Sequence, residues 1–218
     1  TYIEIDSPDK HLSDVLEEIP SNVILYKTLT GIGATYSEIK AQRHSIIIEP
    51  NVPVIIGKCN SAKHKNDNLL GVYEGVTTDR IIKYLGASRG KYYKILTTPE
   101  SFTKVKDAFL IFNGKIYNTC FLLIDEAHKT IKDVDYRSDI VLPMNDFFKF
   151  KGKALVSATP LKFSDPRFEE NGFSIIKIEP TYDYAKEIDI KPSTNILREV
   201  WEEFGWMPFI TGQDKDRP

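Results

Sequence analysis

The sequence predicts an α/β fold, a mostly parallel sheet with helices on both faces. Three observations lead there. Short apolar runs rich in β-branched residues recur at residues 22–26, 45–49, 93–97, 120–125, 154–157 and 173–178. Helix-patterned or polar stretches separate them, the alternation expected of parallel strands joined by helical crossovers. The runs are apolar throughout rather than alternating, so both faces of these strands are covered.

The elements follow in order. Tyr2-Ile3-Glu4-Ile5 is a short alternating start, and a helix is expected over residues 12–19, with Ser7 or Asp9 as cap and Pro20 as stop. Residues 1–20 are read as an N-terminal extension. The strand at 22–26 enters a small-residue loop at 28–33, and a helix follows over 35–42. The strand at 45–49 is closed by Pro50, and Val54, Ile55 and Ile56 form another short apolar piece. Residues 58–68, with Lys58, Lys63, His64 and Lys65, read as an exposed loop that offers a basic contact surface. A helix over 78–85 leads to the strand at 93–97. Thr98-Pro99-Glu100 then reads as a helix start, with a cap, a proline in the first turn and an acid facing the dipole. Phe147, Phe148 and Phe150 mark an aromatic stretch before the strand at 154–157. After Pro180 the pattern weakens to one helix, 193–204, and a linker-like end, 211–218.

Composition narrows the function classes. With 218 residues, 41% hydrophobic and 28% charged, the chain has the make-up of an ordinary globular protein. Its net charge of −2 gives no whole-chain attraction to nucleic acid, so any such binding needs a local patch. There is no apolar run near the ~18 residues of a membrane span and no signal segment. Cys59 and Cys120 are read as reduced, packed thiols of a cytoplasmic protein rather than a disulfide or metal pair. The chain begins at Thr1, which reads as a processed product or a piece of a larger protein.

The chemistry concentrates at three places, each at the end of a strand. Phe121-Leu122-Leu123-Ile124 is an apolar run that ends in Asp125-Glu126-Ala127-His128. It delivers two acids to the carboxyl edge of a sheet, where open α/β folds bind ligands. One acid there can hold Mg²⁺ while the other orients or deprotonates an attacking water, the chemistry of a nucleoside triphosphatase. The bland reading is two acids capping the next helix. Thr30-Gly31-Ile32-Gly33-Ala34-Thr35 sits between a strand and a helix, where a phosphate loop belongs: glycines admit a phosphate and Thr35 can ligate Mg²⁺. A tight glycine turn without ligand is its alternative. Ser157-Ala158-Thr159 reads as a hydroxyl relay facing the acids or as a plain strand-to-loop turn.

Together, in this order, these segments make the chain resemble the first RecA-like domain of superfamily 2 helicases and translocases. That group of P-loop NTPases includes the DEAD- and DEAH-box proteins. Residues 30–35 match motif I, 125–128 motif II and 157–159 motif III, and the resemblance covers residues 21–180. Glu49-Pro50-Asn51 falls where motif Ia lies, and Thr97-Thr98-Pro99-Glu100 where motif Ib lies. The resemblance implies ATP and Mg²⁺ as cofactors, with Asp125 and Thr35 at the metal and Glu126 positioning the attacking water. It implies that His128 couples the nucleotide site to Ser157 and Thr159. It puts Pro50, Asn51, Thr98 and Pro99 near the backbone of a single strand of DNA or RNA.

Two departures stand against this pattern. Ala34 occupies the position of the family's phosphate-binding lysine. Lys27, just before the loop, is the one nearby ammonium that can swing in, but its strand position directs it along the sheet. The family also builds its active site between two RecA-like domains, and residues 181–218 are too few for another sheet. Loss of the partner domain's arginine alone costs ~10³ or more in rate, so the chain by itself is expected to be a poor ATPase. The expected function is the motor domain of an ATP-dependent helicase or translocase whose second domain lies in a longer parent protein. The alternative is a catalytically inactive helicase-derived module that binds nucleic acid or a protein. A metal-dependent nuclease is a third reading; it wants a further acid or lysine near Asp125, for which Lys129 is the near candidate.

Overall fold

The computed structural model describes residues 1–28, 31–132, 141–159 and 165–182. Thr30 of the predicted loop and the predicted helix at 193–204 lie outside the described residues. In chain order the first half comprises β1 (Tyr2–Ile5), α1 (Leu12–Val15), β2 (Val23–Lys27), α2 (Ala34–Lys40), β3 (His44–Ile48), α3 (Val52–Asn60) and β4 (Leu69–Val72). It continues with α4 (Thr78–Ala87), β5 (Lys94–Thr97), α5 (Phe102–Phe112), α6 (Ile116–Thr119), β6 (Cys120–Ile124) and α7 (Ala127–Lys132). The last described elements are α8 (Val141–Phe147), β7 (Gly152–Ser157), α9 (Arg167–Glu170) and β8 (Ser174–Pro180).

The strands form one eight-stranded sheet in the order β1-β8-β2-β7-β6-β3-β5-β4, and every pairing is parallel. Successive side chains of a strand point to opposite faces, so an apolar strand feeds two cores at once. On β6, Cys120, Leu122 and Ile124 join one cluster with Ile81 and Leu85 of α4 and Phe102, Val105 and Phe109 of α5. Phe121 and Leu123 join the other, with Leu12 of α1, Ala34 and Ile39 of α2 and Ile55 of α3. The expected α/β class, with helices on both faces, is therefore observed.

Several local expectations are corrected. Within the N-terminal extension, the opening strand β1 is the edge strand of the main sheet, paired with β8. The first helix is shorter than expected and is capped at His11, whose N–H donates to Asp14 Oδ2 at 2.7 Å, rather than at Ser7 or Asp9. Val54 and Ile56 belong to helix α3; Pro53 in its first turn presets the backbone, and Ile55 is its one buried residue. The supposed loop at 58–68 holds the end of α3, a 3₁₀ turn at Ala62–His64 and a buried His64. The helix foreseen from Thr98 begins at Phe102 with Ser101 as its cap. The Thr98 hydroxyl accepts from the Ser101 N–H at 3.3 Å inside the preceding turn.

At the amino-terminal edge of the sheet, buried Lys94 donates to the carbonyls of Glu38 and Ala41, at 2.7 and 2.8 Å, and to Ser45 Oγ at 3.0 Å. It thereby satisfies carbonyls left open at the end of α2. Burial pushes its ammonium down from the ordinary 10.5 to about 8, against the opposing pull of Glu38. Between about pH 8 and 10.5 the unfolded chain thus binds more protons at this residue than the folded one. Its contribution to stability is least favourable below pH 8 and improves as pH rises through that window. Denaturant unfolding at pH 7.5 and 9.5 is expected to show this gain in the wild type and its loss in Lys94→Met.

Candidate functional site

Four neighbouring strands, β2-β7-β6-β3, end on one edge of the sheet, and each delivers a polar side chain there. These are Lys27 from β2, Ser157 from β7, Asp125 following β6 and Glu49 following β3. Ile48 pairs with Ile124, and the Asp125 N–H donates to the Ile48 carbonyl at 3.0 Å, so Glu49 and Asp125 stand side by side. All but Glu126 of this acid set are buried: Glu49 is 3% and Asp125 6% exposed.

The loop after β2 turns over this edge. Gly31 and Gly33 hold φ of +83° and +84°, a conformation open to glycine at little cost. At Gly33 a Cβ would also come to 3.4 Å from that of His11, because the segment before α1 packs on the loop. The Leu12 N–H donates to the Ile32 carbonyl at 2.8 Å and fixes that packing. Gly33 caps α2, Ala34 is buried among apolar neighbours, and Thr35 faces the acids.

Thr35 joins the loop to the acid strand. Its hydroxyl donates to Asp125 Oδ2 at 2.5 Å and lies 3.2 Å from Glu49 Oε1. A hydroxyl has one proton, and the shorter contact takes it. Burial pushes the Asp125 carboxyl up, but the Lys27 charge, then the Thr35 hydroxyl, hold it below its usual range. Glu49 moves the opposite way: burial and the Asp125 charge push it up, although the Lys58 ammonium pairs with it.

Lys27 departs from the direction read off its strand position. Its Nζ lies 3.1 Å from Asp125 Oδ1 and 2.7 Å from Glu126 Oε1, with the side chain 7% exposed. The four-carbon stem is long enough to reach across the end of β7 from β2 to β6, and two carboxylates draw the ammonium over. Burial lowers its affinity for a proton, but Asp125 and Glu126 outweigh burial and raise it above the ordinary value.

Glu126 adopts φ of +49°, a left-handed conformation that few non-glycine residues take. Its N–H donates to Asp125 Oδ1 at 2.8 Å, which folds the chain sharply from β6 into α7 and turns the carboxylate back to Lys27. His128 stands between Glu126 and the end of β7. Its Nε2 is 3.4 Å from Glu126 Oε2 and its Nδ1 3.2 Å from Ser157 Oγ. The Ser157 hydroxyl donates to the Thr159 carbonyl at 2.7 Å and accepts the Thr159 N–H at 3.2 Å. With its proton so committed, Ser157 is left to accept from Nδ1–H. Ala158 is half-buried in that turn and Thr159 is exposed.

The residues assigned to nucleic acid divide. Asn51 is exposed as the cap of α3, and Pro50 is half-buried beside it. Thr98 and Pro99 are buried, so their side chains face inward and the free N–H groups foreseen there belong instead to the start of α5. Lys27, Glu49 and Lys58 are members of the site to which sequence reasoning gave no settled role there. The signal for Glu49 was a buried strand ending in an acid, the same pattern that singled out Asp125.

Hydroxyl and carboxylate oxygens are the donors Mg²⁺ takes, commonly with one or two carboxylates and the rest of its shell from phosphate and water. Thr35 and Asp125 fit that demand. Among the described residues no cluster of three His, Cys, Asp or Glu side chains forms an all-protein metal cage.

An all-parallel sheet with a glycine loop after β2 and paired acids after β6, one strand beyond its neighbour β7, defines a RecA-like α/β domain. One solved structure supports that fold, and two more stand beside it. The helicase domain of Hef from Pyrococcus furiosus is similar at a TM-score of 0.51 and 12% identity, over 79% of this chain and 38% of that one. A hypothetical ATP-dependent RNA helicase from Sulfolobus tokodaii gives 0.49 and 17%, over 72% and 48%. A DEAD box protein from Methanococcus jannaschii gives 0.45 and 20%, over 72% and 45%. The chain thus spans between 38% and 48% of the length of these structures. No protein-family model matches it, and no curated protein sequence does. At such identities the likeness is one of fold, a RecA-like α/β fold. Among the described residues no helix is long and apolar enough to cross a membrane.

Proposed function

We propose that this chain is a helicase-type motor domain that takes up Mg²⁺·ATP at the carboxyl edge of its sheet and grips a single strand of DNA or RNA. One observation carries the reading: the Thr35 hydroxyl meets Asp125 Oδ2 at 2.5 Å, joining the glycine loop to the acid strand. A plain glycine turn and a pair of capping acids have no need of that contact. Gly31 and Gly33 open the loop backbone to phosphates, while Thr35 and Asp125 hold the cation. The cation, when bound, neutralises charge on the terminal phosphates. Glu126 orients the attacking water, and His128 links it to Ser157 and so to the turn at Thr159. The exposed Asn51 at the cap of α3 suits a phosphate of the strand. Turnover belongs to an assembly with a second RecA-like domain in the parent protein, which supplies the γ-phosphate arginine.

The second reading is a binding module that has lost turnover. It is favoured by Ala34 and by the ion pair of Lys27 with both acids, which leaves them satisfied without a cation. Fluorescent ATP titrated into the chain, with Mg²⁺ or with EDTA, and anisotropy of a labelled single strand separate the two. The motor reading predicts saturable, Mg²⁺-dependent nucleotide binding that unlabelled ATP displaces. Strand binding without nucleotide binding favours the second reading, and neither kind of binding defeats both.

A further inference from the structure

We propose that Lys27 is the phosphate-binding lysine of this site, reaching the nucleotide from the end of β2 and not from the glycine loop. The inference rests on the nucleotide-binding reading above and assigns that site its missing ammonium. A bound triphosphate carries more negative charge than one Mg²⁺ neutralises, and the fold's usual answer is a lysine on the β- and γ-phosphates. Ala34 cannot give one; it is 3% exposed and packed in an apolar cluster.

Lys27 has the charge, the place and a spare donor. An ammonium has three donors. Asp125 Oδ1 accepts one at 3.1 Å and Glu126 Oε1 pairs with the ammonium at 2.7 Å, so two acceptors meet three donors. The choice of oxygens decides what kind of cation Lys27 is. Thr35 holds Asp125 Oδ2 and Lys27 holds Oδ1. The ammonium therefore lies on the Glu126 side, where the terminal phosphate and its attacking water belong, and leaves the Thr35 side to the divalent cation. A lysine standing in for the metal would sit between Thr35 and Oδ2. A buried ion pair is also a weak source of stability, because desolvation offsets most of its attraction, so the fold has little need of a charge here.

The geometry carries a consequence for Glu126. While Lys27 holds it, this carboxylate is tied up; a phosphate that draws the ammonium away releases Glu126 to the water. Nucleotide binding and readiness of the base are then one event.

The test is calorimetric titration of the full chain with Mg²⁺·ATP and with Mg²⁺·ADP. Lys27→Met alone leaves buried Asp125 and half-buried Glu126 without their cation, so the comparison is Glu126→Gln against Lys27→Met/Glu126→Gln, which removes one charge of each sign. The double variant is expected to bind Mg²⁺·ATP about tenfold or more weakly than Glu126→Gln, the worth of one charge-assisted hydrogen bond. The loss for Mg²⁺·ADP should be smaller, and adding Ala34→Lys to the double variant should restore ATP affinity by supplying the ammonium from the loop. Equal ATP affinity in the two variants, or equal losses for ATP and ADP, overturns the inference and leaves the nucleotide reading standing. If wild type and Glu126→Gln bind no nucleotide, the nucleotide reading itself falls, and the role of Lys27 with it.

Discussion

Replacing Glu38 with alanine is expected to destabilise the chain by about 3–5 kcal/mol, the cost of removing one partner from a buried ion pair. Glu38 is 0% exposed and accepts from Arg43 twice, from Nε at 2.9 Å and Nη2 at 2.5 Å, and from Ser45 Oγ at 2.6 Å. The Arg43 guanidinium is held between this carboxylate and the Phe121 ring, 3.5 Å from the ring centroid, and also donates to the Ile19 carbonyl. Buried Lys94 contacts the same Ser45 hydroxyl. Without Glu38, the Arg43 guanidinium and the buried Lys94 ammonium lose their nearest carboxylate, and Arg43 keeps the Glu18 carboxylate at 3.7 Å. Domains of this size are stable by about 5–15 kcal/mol, so the variant stands near the limit of folding. Urea unfolding of the two proteins measures the difference. A loss under about 1 kcal/mol would mean that solvent reaches Arg43 and Lys94 more freely than their burial implies.

The second large effect is at the opposite edge. Asp125→Asn is expected to weaken Mg²⁺·ATP binding about 10- to 100-fold, the worth of a charged contact of roughly 1.5–3 kcal/mol. The change is nearly isosteric, but an amide has one acceptor oxygen: with its carbonyl on the Thr35 hydroxyl, its NH2 faces the Lys27 ammonium and the Glu126 N–H that Asp125 Oδ1 now accepts. What is lost is the charge that, in the proposed function, would hold the divalent cation beside Thr35. Lys27 keeps Glu126 as partner at 2.7 Å, so the variant is expected to fold with a lowered unfolding midpoint, measured beside the affinity. Unchanged nucleotide affinity would remove Asp125 from the metal role.

The two variants divide stability from function because the sheet separates them, Glu38 at its amino edge and Asp125 at its carboxyl edge. The sequence made this edge legible wherever strand and chemistry were contiguous. Residues 121–126 read as a buried strand ending in acids because the apolar run excludes a solvated helix, and the glycine loop after β2 read in the same way. Thr35, Asp125, Glu126, His128 and Ser157 do converge.

What the sequence left unread was set by contacts distant along the chain. Glu49 joins the site because β3 lies beside β6, a neighbourhood no local pattern records. Lys27 was read along its own strand, yet two carboxylates 98 and 99 positions later determine where its ammonium goes. Helix α3 is rich in valine and isoleucine, which favour strands, and only its packing through Ile55 settles the matter. Strand β4 is four residues long and contains Gly71, a poor strand former, which is why the stretch read as nothing in particular. Gly71 is there because a Cβ would come to 2.8 Å from the Ile55 side chain, so the glycine lets α3 lie on the edge strand.

The central claim is one of place: the nucleotide sits where the loop after β2 meets the acids after β6. Hydrogen–deuterium exchange of the chain with and without Mg²⁺·ATP tests it most directly. The account predicts slowed exchange at residues 31–37 and 125–128, with the amino-edge segment around Glu38, Arg43 and Lys94 unchanged. Nucleotide-dependent protection confined to any other part of the chain would contradict it.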